Sequence, residues 1–399
     1  LKRQTINFHF LASALKKGYV YFQPRGIIGI ISPWNFPFSL TASETLCALL
    51  AGNAVLIKPS EHTSQIIMKL KEYLDEAGIP KDLVRVVTGL GETGSAVIDF
   101  SDQIFFTGSV KVGKLVAQAC AKRLIPCKLE LGGKAPAIVC HDAQLERTAK
   151  ALVYGAFSNA GQVCLSVERA YVHANVYDTL LTKVVEYTKK LRHGDPQSFD
   201  TDIGAITFPP QMKHYQELVE DAVLKGAKVL CGGSPLPGSG NFFSPTILVD
   251  VNHDMRVMKE EIFGPILPIM KVNNEQDALS LANESHLGLN AYIFSSDLNR
   301  ANELAQKIEA GGIMINDVIA NYAHLEAPFG GMKESGMGRT HGEDAITQFC
   351  HTKYVQTERV SSFSKELWWY PYSEKLYRLM KFSTRFLFAK DIKSKLNIS

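Results

Sequence analysis

Three side chains in this sequence could together carry an acyl group. Cys164 closes the run Asn159-Ala160-Gly161-Gln162-Val163-Cys164, Glu130 opens Glu130-Leu131-Gly132-Gly133-Lys134, and Asn35 sits in Ser32-Pro33-Trp34-Asn35-Phe36-Pro37. A thiolate attacks a carbonyl carbon, a carboxamide holds the resulting oxyanion, and a carboxylate draws a proton from water so that a thioester is hydrolysed. Each residue alone has a commoner explanation. A lone cysteine is usually a small buried hydrophobe, an acid before two glycines closes many strands, and an Asn after Pro-Trp makes an Asx turn. The settings favour chemistry. Gly161 and Gln162 predict a tight turn on which the thiol is exposed and activated, and Gly132-Gly133 permits close backbone approach to a ligand. The functional reading rests on their joint occurrence.

These residues need elements to position them. Gly26–Ser32 is an apolar run ending at Pro33 and reads as a buried strand. Strands are expected at 54–58, 84–87 and 103–106, and helices at 40–51, 63–77, 92–100 and 110–121. This alternation predicts a parallel, doubly wound α/β sheet. A second alternating region follows. Its expected strands are 135–139, 169–172, 242–249, 266–271, 291–294 and 312–316; its expected helices are 145–157, 176–191, 210–225, 276–283 and 298–307. The border between the two regions is placed near Leu131, with 352–358 as a late extended segment and a separate tail after Ser361.

Length and composition bound the answer. The chain has 399 residues, 46% hydrophobic and 21% charged, enough for two domains of an ordinary globular protein. No apolar run approaches the ~20 residues that span a bilayer, and nothing in the first residues has the make-up of a secretory signal. Seven widely spaced cysteines without Cys-x-x-Cys argue against a disulfide framework and fit a reducing, cytoplasmic setting. The eleven histidines show no metal-binding spacing, and no metal site is expected. Residues 361–399 carry net charge +5 while the remainder carries −2, so the basic character belongs to the tail and not to a nucleic-acid groove.

Seven motifs now stand in one order: ISPWNFP at 31–37, KPSE at 58–61, FTGS at 106–109, ELGGK at 130–134, NAGQVC at 159–164, EEIFGP at 260–265 and PFGGMKESGMGR at 328–339. The sequence resembles the aldehyde dehydrogenase superfamily over residues 26–345, about four-fifths of its length. The resemblance implies oxidation of an aldehyde to a carboxylic acid with Cys164 as nucleophile, Asn35 as oxyanion donor and Glu130 as general base. It implies a cofactor site built from Trp34, Lys58, Ser60, Glu61, Gly108, Ser109, Gly132, Glu261 and Phe263. Glu61 matches a position at the adenosine ribose, where a carboxylate accepts hydroxyl protons and repels a 2′-phosphate, so NAD is expected over NADP. Gly108 and Ser109 open the helix over 110–121, whose N-terminus suits a pyrophosphate. Gly89-Leu90-Gly91-Glu92-Thr93-Gly94 matches G-x-G-x-x-G but lacks the acid ~20 positions on and reads as a plain Gly-rich connection.

The resemblance also frames the architecture. It implies a cofactor domain over 1–130 with an arm segment near 15–30, a catalytic domain over 131–330, and a return through 331–360 that includes an oligomerisation strand. It implies a homodimer or homotetramer, and an N-terminal segment longer than the one present. Segments 38–47 and 154–157 are candidates for the substrate tunnel. In the tail, Trp369, Tyr372, Leu376, Leu379, Met380 and Leu387 share one helix face, with Glu374, Arg378, Lys381 and Arg385 on the other. That pattern fits either a helix lying on a membrane surface or one docked on protein. The first would make lipophilic or long-chain aldehydes the substrates. The rival readings are a semialdehyde dehydrogenase for a small acidic substrate, which needs a cationic pocket residue, and a non-catalytic member of the family.

Overall fold

A computed structural model of the chain describes residues 3–6, 15–238, 240–360, 364–366 and 369–389. They fall into two compact units, one of Gln23–His351 and one of Leu1–Phe22 with Thr352–Ser399.

The larger unit holds two sheets flanked by helices. The first has six strands in the spatial order Gly336–Met337, Cys127–Glu130, Gln103–Thr107, Ile27–Ile31, Ala54–Lys58 and Val84–Val86. All pair in parallel except Gly336–Met337, which runs antiparallel to Cys127–Glu130 with Gly336 opposite Glu130. Ile28, Ile30, Ile57 and Ile104 are fully buried, as parallel strands covered on both faces require. The chain leaves Ile27–Ile31, steps outward twice to Val84–Val86, then returns to lay Gln103–Thr107 on the opposite side. Such a reversal of strand order opens a crevice at the carboxyl ends of the strands, where ligands bind in open α/β sheets.

The second sheet has seven strands in the order Lys228–Cys231, Thr246–Val249, Ile266–Val272, Val167–His173, Ala135–Val139, Asn290–Phe294 and Gly312–Ile315. Only Lys228–Cys231 is antiparallel to its neighbour. One continuous core, including Leu152, Val184, Leu218 and Tyr292, joins this sheet to its helices. The doubly wound α/β expectation therefore holds. Among the elements that differ in extent or were not foreseen, two illustrate the reasons. The strand expected over 242–249 starts only at Thr246, because Pro245 before it has no N–H to donate to a ladder. Cys127–Glu130 is a strand that the hydropathy pattern hides, since Lys128 and Glu130 are charged and yet buried.

The smaller unit contains a three-stranded sheet of Gln4–Ile6, Lys16–Pro24 and Cys350–Glu358, in that order. The Lys16 ammonium bonds the carboxylates of Glu358 and Glu366. A helix over Glu374–Phe388 begins at Ser373, whose hydroxyl accepts the Leu376 N–H, and none of its residues is buried. The tail charges at Lys390, Asp391, Lys393 and Lys395 lie outside the described residues. Among the described residues no helix is long and apolar enough to cross a membrane.

Candidate active site

The crevice is a cavity of about 740 Å³ whose walls include all twelve residues singled out from the sequence. The topology explains the convergence. Trp34 and Asn35 follow the Ile27–Ile31 strand, Lys58 ends its neighbour with Ser60 and Glu61 just beyond, Gly108 and Ser109 follow Gln103–Thr107, and Glu130 ends Cys127–Glu130 with Gly132 beyond it. Cys164, Glu261 and Phe263 come from connections of the seven-stranded sheet.

The Cys164 turn is fixed by backbone geometry. Asn159, Ala160 and Gly161 take left-handed φ values of 49°, 54° and 73°. A Cβ on Gly161 would stand 2.2 Å from the Gly264 carbonyl oxygen, so this position admits only glycine. Gln162 is buried; its Oε1 accepts the Thr207 N–H at 2.8 Å and its Nε2 donates to the Asn159 carbonyl at 2.9 Å. Asn35 Nδ2 donates to the Gln162 carbonyl at 3.1 Å, and Asn159 Nδ2 donates to the Asn35 carbonyl at 3.2 Å. These bonds lock the carboxamide of Asn35 to the loop that carries Cys164. One expectation needs correcting. Cys164 is half-buried, not openly exposed, and burial pushes its thiol up to about 12, with the Glu130 and Glu261 carboxylates adding to the effect. The backbone N–H groups of Cys164 and Leu165 act in the opposite direction and favour the thiolate.

Glu130 stands in a different position from a surface acid. It is buried, and its Oε2 has no hydrogen-bond partner among the described residues. Burial raises the carboxyl to about 8, the Lys128 ammonium opposes that rise, and the Glu44 carboxylate adds to it. A base in this range takes up and returns protons near neutral pH.

The rest of the cavity wall combines charged and aromatic side chains. Lys58 Nζ lies 3.1 Å from Glu61 Oε2. The Glu61 carboxylate is held below its ordinary range, first by its own backbone N–H and then by Lys58. Ser109 caps the Val110–Arg123 helix by accepting the Val112 N–H at 3.4 Å. Trp34 and Phe263 meet edge to face at 5.3 Å, and Phe208 lies 4.8 Å from the His62 ring. Glu261 Oε1 accepts the Gly133 N–H at 3.0 Å, and any Cβ on Gly132 would stand 2.2 Å from Glu261 Oε2.

Some contributors escaped the sequence reading. Glu168 accepts the N–H groups of Ile262 and Phe263 at 2.9 and 2.8 Å and pairs with Lys134 Nζ at 2.9 Å, which anchors the segment carrying Glu261 and Phe263. The signal was an acid inside the apolar Val167–His173 strand, since a buried charge needs a partner. Phe208 carried no signal. Leu90, Gly91 and Gly94, from the run read as a plain Gly-rich connection, line the cavity together with Ser95 because the Gly91–Asp99 helix starts at its edge.

A second, smaller cavity of about 20 Å³ adjoins Cys164 and Glu130, with Leu40, Phe105, Leu289, Tyr322, Phe329 and Thr340 among its walls. Tyr322 and Phe329 meet edge to face at 5.0 Å. None of its lining residues is cationic. Of the two tunnel candidates, 38–47 supplies Leu40 to this wall, whereas Phe157 of 154–157 is buried in the core.

A profile described as the aldehyde dehydrogenase family matches residues 2–355. The chain belongs to the aldehyde dehydrogenase family. It is 43% identical to a 4,4′-diapolycopene aldehyde oxidase of Methylomonas sp over 92% of this chain and 69% of that one. It is 38% identical to a putative succinate-semialdehyde dehydrogenase [NADP(+)] of Mycolicibacterium smegmatis over 90% of this chain and 70% of that one. The crystal structure of an NAD-dependent aldehyde dehydrogenase from Sinorhizobium meliloti superposes with a TM-score of 0.86 at 36% identity, covering 90% of this chain and 71% of that one. Within an aldehyde dehydrogenase, the paired cavities acquire a meaning: both reach Cys164 and Glu130.

Proposed function

We propose that this aldehyde dehydrogenase oxidises an apolar aldehyde to its free carboxylic acid with NAD, through a thioester on Cys164. The observation that carries the reading is that Asn35, Glu130 and Cys164 line one cavity with Glu61, Glu261 and Phe263. The cavity fits a dinucleotide: it has a capped helix N-terminus for a pyrophosphate, a carboxylate at Glu61 for ribose hydroxyls, and aromatic rings at Trp34 and Phe263. When bound, NAD supplies the hydride acceptor. The ionised Glu61 favours a free 2′-hydroxyl over a 2′-phosphate, because two anions at that distance repel. Cys164 sulfur adds to the aldehyde carbonyl. Asn35 Nδ2 has a second hydrogen free of the Gln162 bond and, with the Cys164 backbone N–H, holds the oxyanion. Loss of hydride leaves the thioester. Glu130 then takes a proton from water, whose oxygen attacks the acyl carbon and expels the Cys164 thiolate. The carboxylate base supports release to water over transfer to another thiol.

The second cavity supports the choice of aldehyde. Apart from Glu130 and Cys164, its described walls are apolar or hydroxylic and offer no cation for a substrate carboxylate. The tail supports the same direction. The Glu374–Phe388 helix keeps Leu379, Met380, Phe386 and Leu387 exposed on one face and Arg378, Lys381 and Arg385 on the other, which suits an anionic bilayer surface. Among the described residues Cys350–Glu358 is an outer strand of its sheet with mostly exposed residues, and such an edge suits pairing with a second copy in a homodimer or homotetramer.

The test is NADH formation across aldehydes of rising chain length, with succinic semialdehyde and Cys164→Ala as comparisons. The expected result is a rise in kcat/KM with apolar length and no turnover by Cys164→Ala. Preference for succinic semialdehyde would overturn the substrate class, and turnover by Cys164→Ala would overturn the mechanism.

A further inference from the structure

Behind Glu130 lies a buried group of charges that the mechanism above does not use. Lys128 and Glu130 are two residues apart on one strand, so their side chains leave the same face, while Leu129 points into the core on the other. Glu44 comes from the Pro37–Leu50 helix and is 1% exposed. The Thr340 hydroxyl donates to Glu44 Oε1, and Thr340 also lines the small cavity that Glu130 and Cys164 share. The stem of Lys128 runs past Gly338, where a Cβ would come within 3.1 Å of Lys128 Cε.

The hydrogen bonding in this group is incomplete. Lys128 Nζ, Glu44 Oε2 and Glu130 Oε2 are buried without hydrogen-bond partners among the described residues. The Lys128 ammonium lies 5.8 Å from the Phe105 ring centroid and is not clamped on either carboxylate. A purely structural ion pair would close that gap, because an uncompensated buried charge is costly. One cation stands among two carboxylates, and a low-dielectric interior tolerates one balancing anion far better than two.

We propose that Lys128 and Glu44 are positioning residues for Glu130: the single buried ammonium balances one carboxylate at a time, so the charge state of Glu44 decides whether Glu130 is a base. With Glu44 protonated, the ammonium favours the Glu130 carboxylate. With Glu44 ionised, Glu130 holds its proton. The electrostatics agree, since Lys128 lowers and Glu44 raises the Glu130 carboxyl, and burial brings Lys128 itself down to about 8. The other groups facing this cluster are Arg339, which favours the Glu130 anion, and Cys164, Cys47, Tyr322 and His341, each coupled to one or more of its members. This inference rests on Glu130 as the base for thioester hydrolysis.

The experiment measures decay of the acyl-enzyme formed with p-nitrophenyl acetate as a function of pH, in the full chain. Glu44→Gln keeps the acceptor for Thr340 and removes the competing charge, so the acidic limb moves about one unit to lower pH. Lys128→Met removes the cation at similar length, so the limb moves to higher pH. Opposite shifts support the proposal; no shift, or shifts in one direction, overturn it. If Lys128→Met fails to fold, Glu44→Gln decides alone by the direction of its shift. Glu130→Gln separates the two readings. If it keeps the acidic limb, the base assignment itself fails; if it abolishes the limb while the other variants do not diverge, only the role of Lys128 and Glu44 fails.

Discussion

At the residue scale the protein works through groups held away from their ordinary states. Glu130 is raised to about 8 by burial, whereas in the unfolded chain it ionises as an ordinary carboxyl. Its folded form is therefore favoured when protonated. The stability it contributes is complete below the unfolded pKa and is lost as pH rises toward 8. Glu130→Gln, which cannot ionise, should gain in Tm relative to the parent chain as pH goes from 5 to 8, a trend that thermal melts at several pH values would check. Asn35→Ala should lower kcat about 10²–10³-fold with little change in KM, the cost of one oxyanion donor, in steady-state assays of NADH formation. Glu61→Ser removes the ionised carboxylate beside Lys58 and should shift the ratio of kcat/KM for NADP to NAD upward by about tenfold or more, the size of a one-unit charge effect. The three catalytic candidates were legible in the sequence because each stands in a run of glycines, prolines and amides with little packing value. Lys128 and Glu44 were not. Their meaning depends on one another and on burial, which no local pattern reports.

At the element scale the site depends on how segments are tied down. The Glu261–Phe263 segment has no regular structure, and Phe263 takes a left-handed φ of 51°. Glu168 fixes it from a neighbouring strand through backbone N–H groups and is neutralised by Lys134. Removing one partner of a buried pair costs about 3–5 kcal/mol. Glu168→Ala should lower unfolding free energy by that amount and weaken NADH binding, read by denaturant titration and NADH fluorescence on the same preparation. Strands with continuous apolar runs were readable in advance, as at Ile27–Ile31 and Gln103–Thr107. Cys127–Glu130 was not, because its two inward charges imitate a surface loop.

At the scale of the whole molecule, strand order decides where chemistry happens. The reversal between Ile27–Ile31 and Gln103–Thr107 opens the crevice, and loops from both sheets of the larger unit fill its walls. The tail belongs to the other unit and carries its apolar face exposed. Each basic residue near an anionic surface contributes about 1 kcal/mol at physiological ionic strength. Binding to anionic vesicles should therefore weaken with added salt and fall when Lys381 and Arg385 are both changed to Glu, as co-sedimentation would measure; equal binding by a chain ending at Val360 would remove the tail from the account. The sequence by itself determined the family, the three candidate reacting side chains and the strand–helix alternation, because local patterns of polarity and turn residues encode them. Only the tertiary structure decided that Cys164 is half-buried, that burial raises the Glu130 carboxyl to about 8, and that Lys128 and Glu44 stand behind it. Those properties arise from desolvation and from charges brought together across distant segments, and neither exists until the chain has folded.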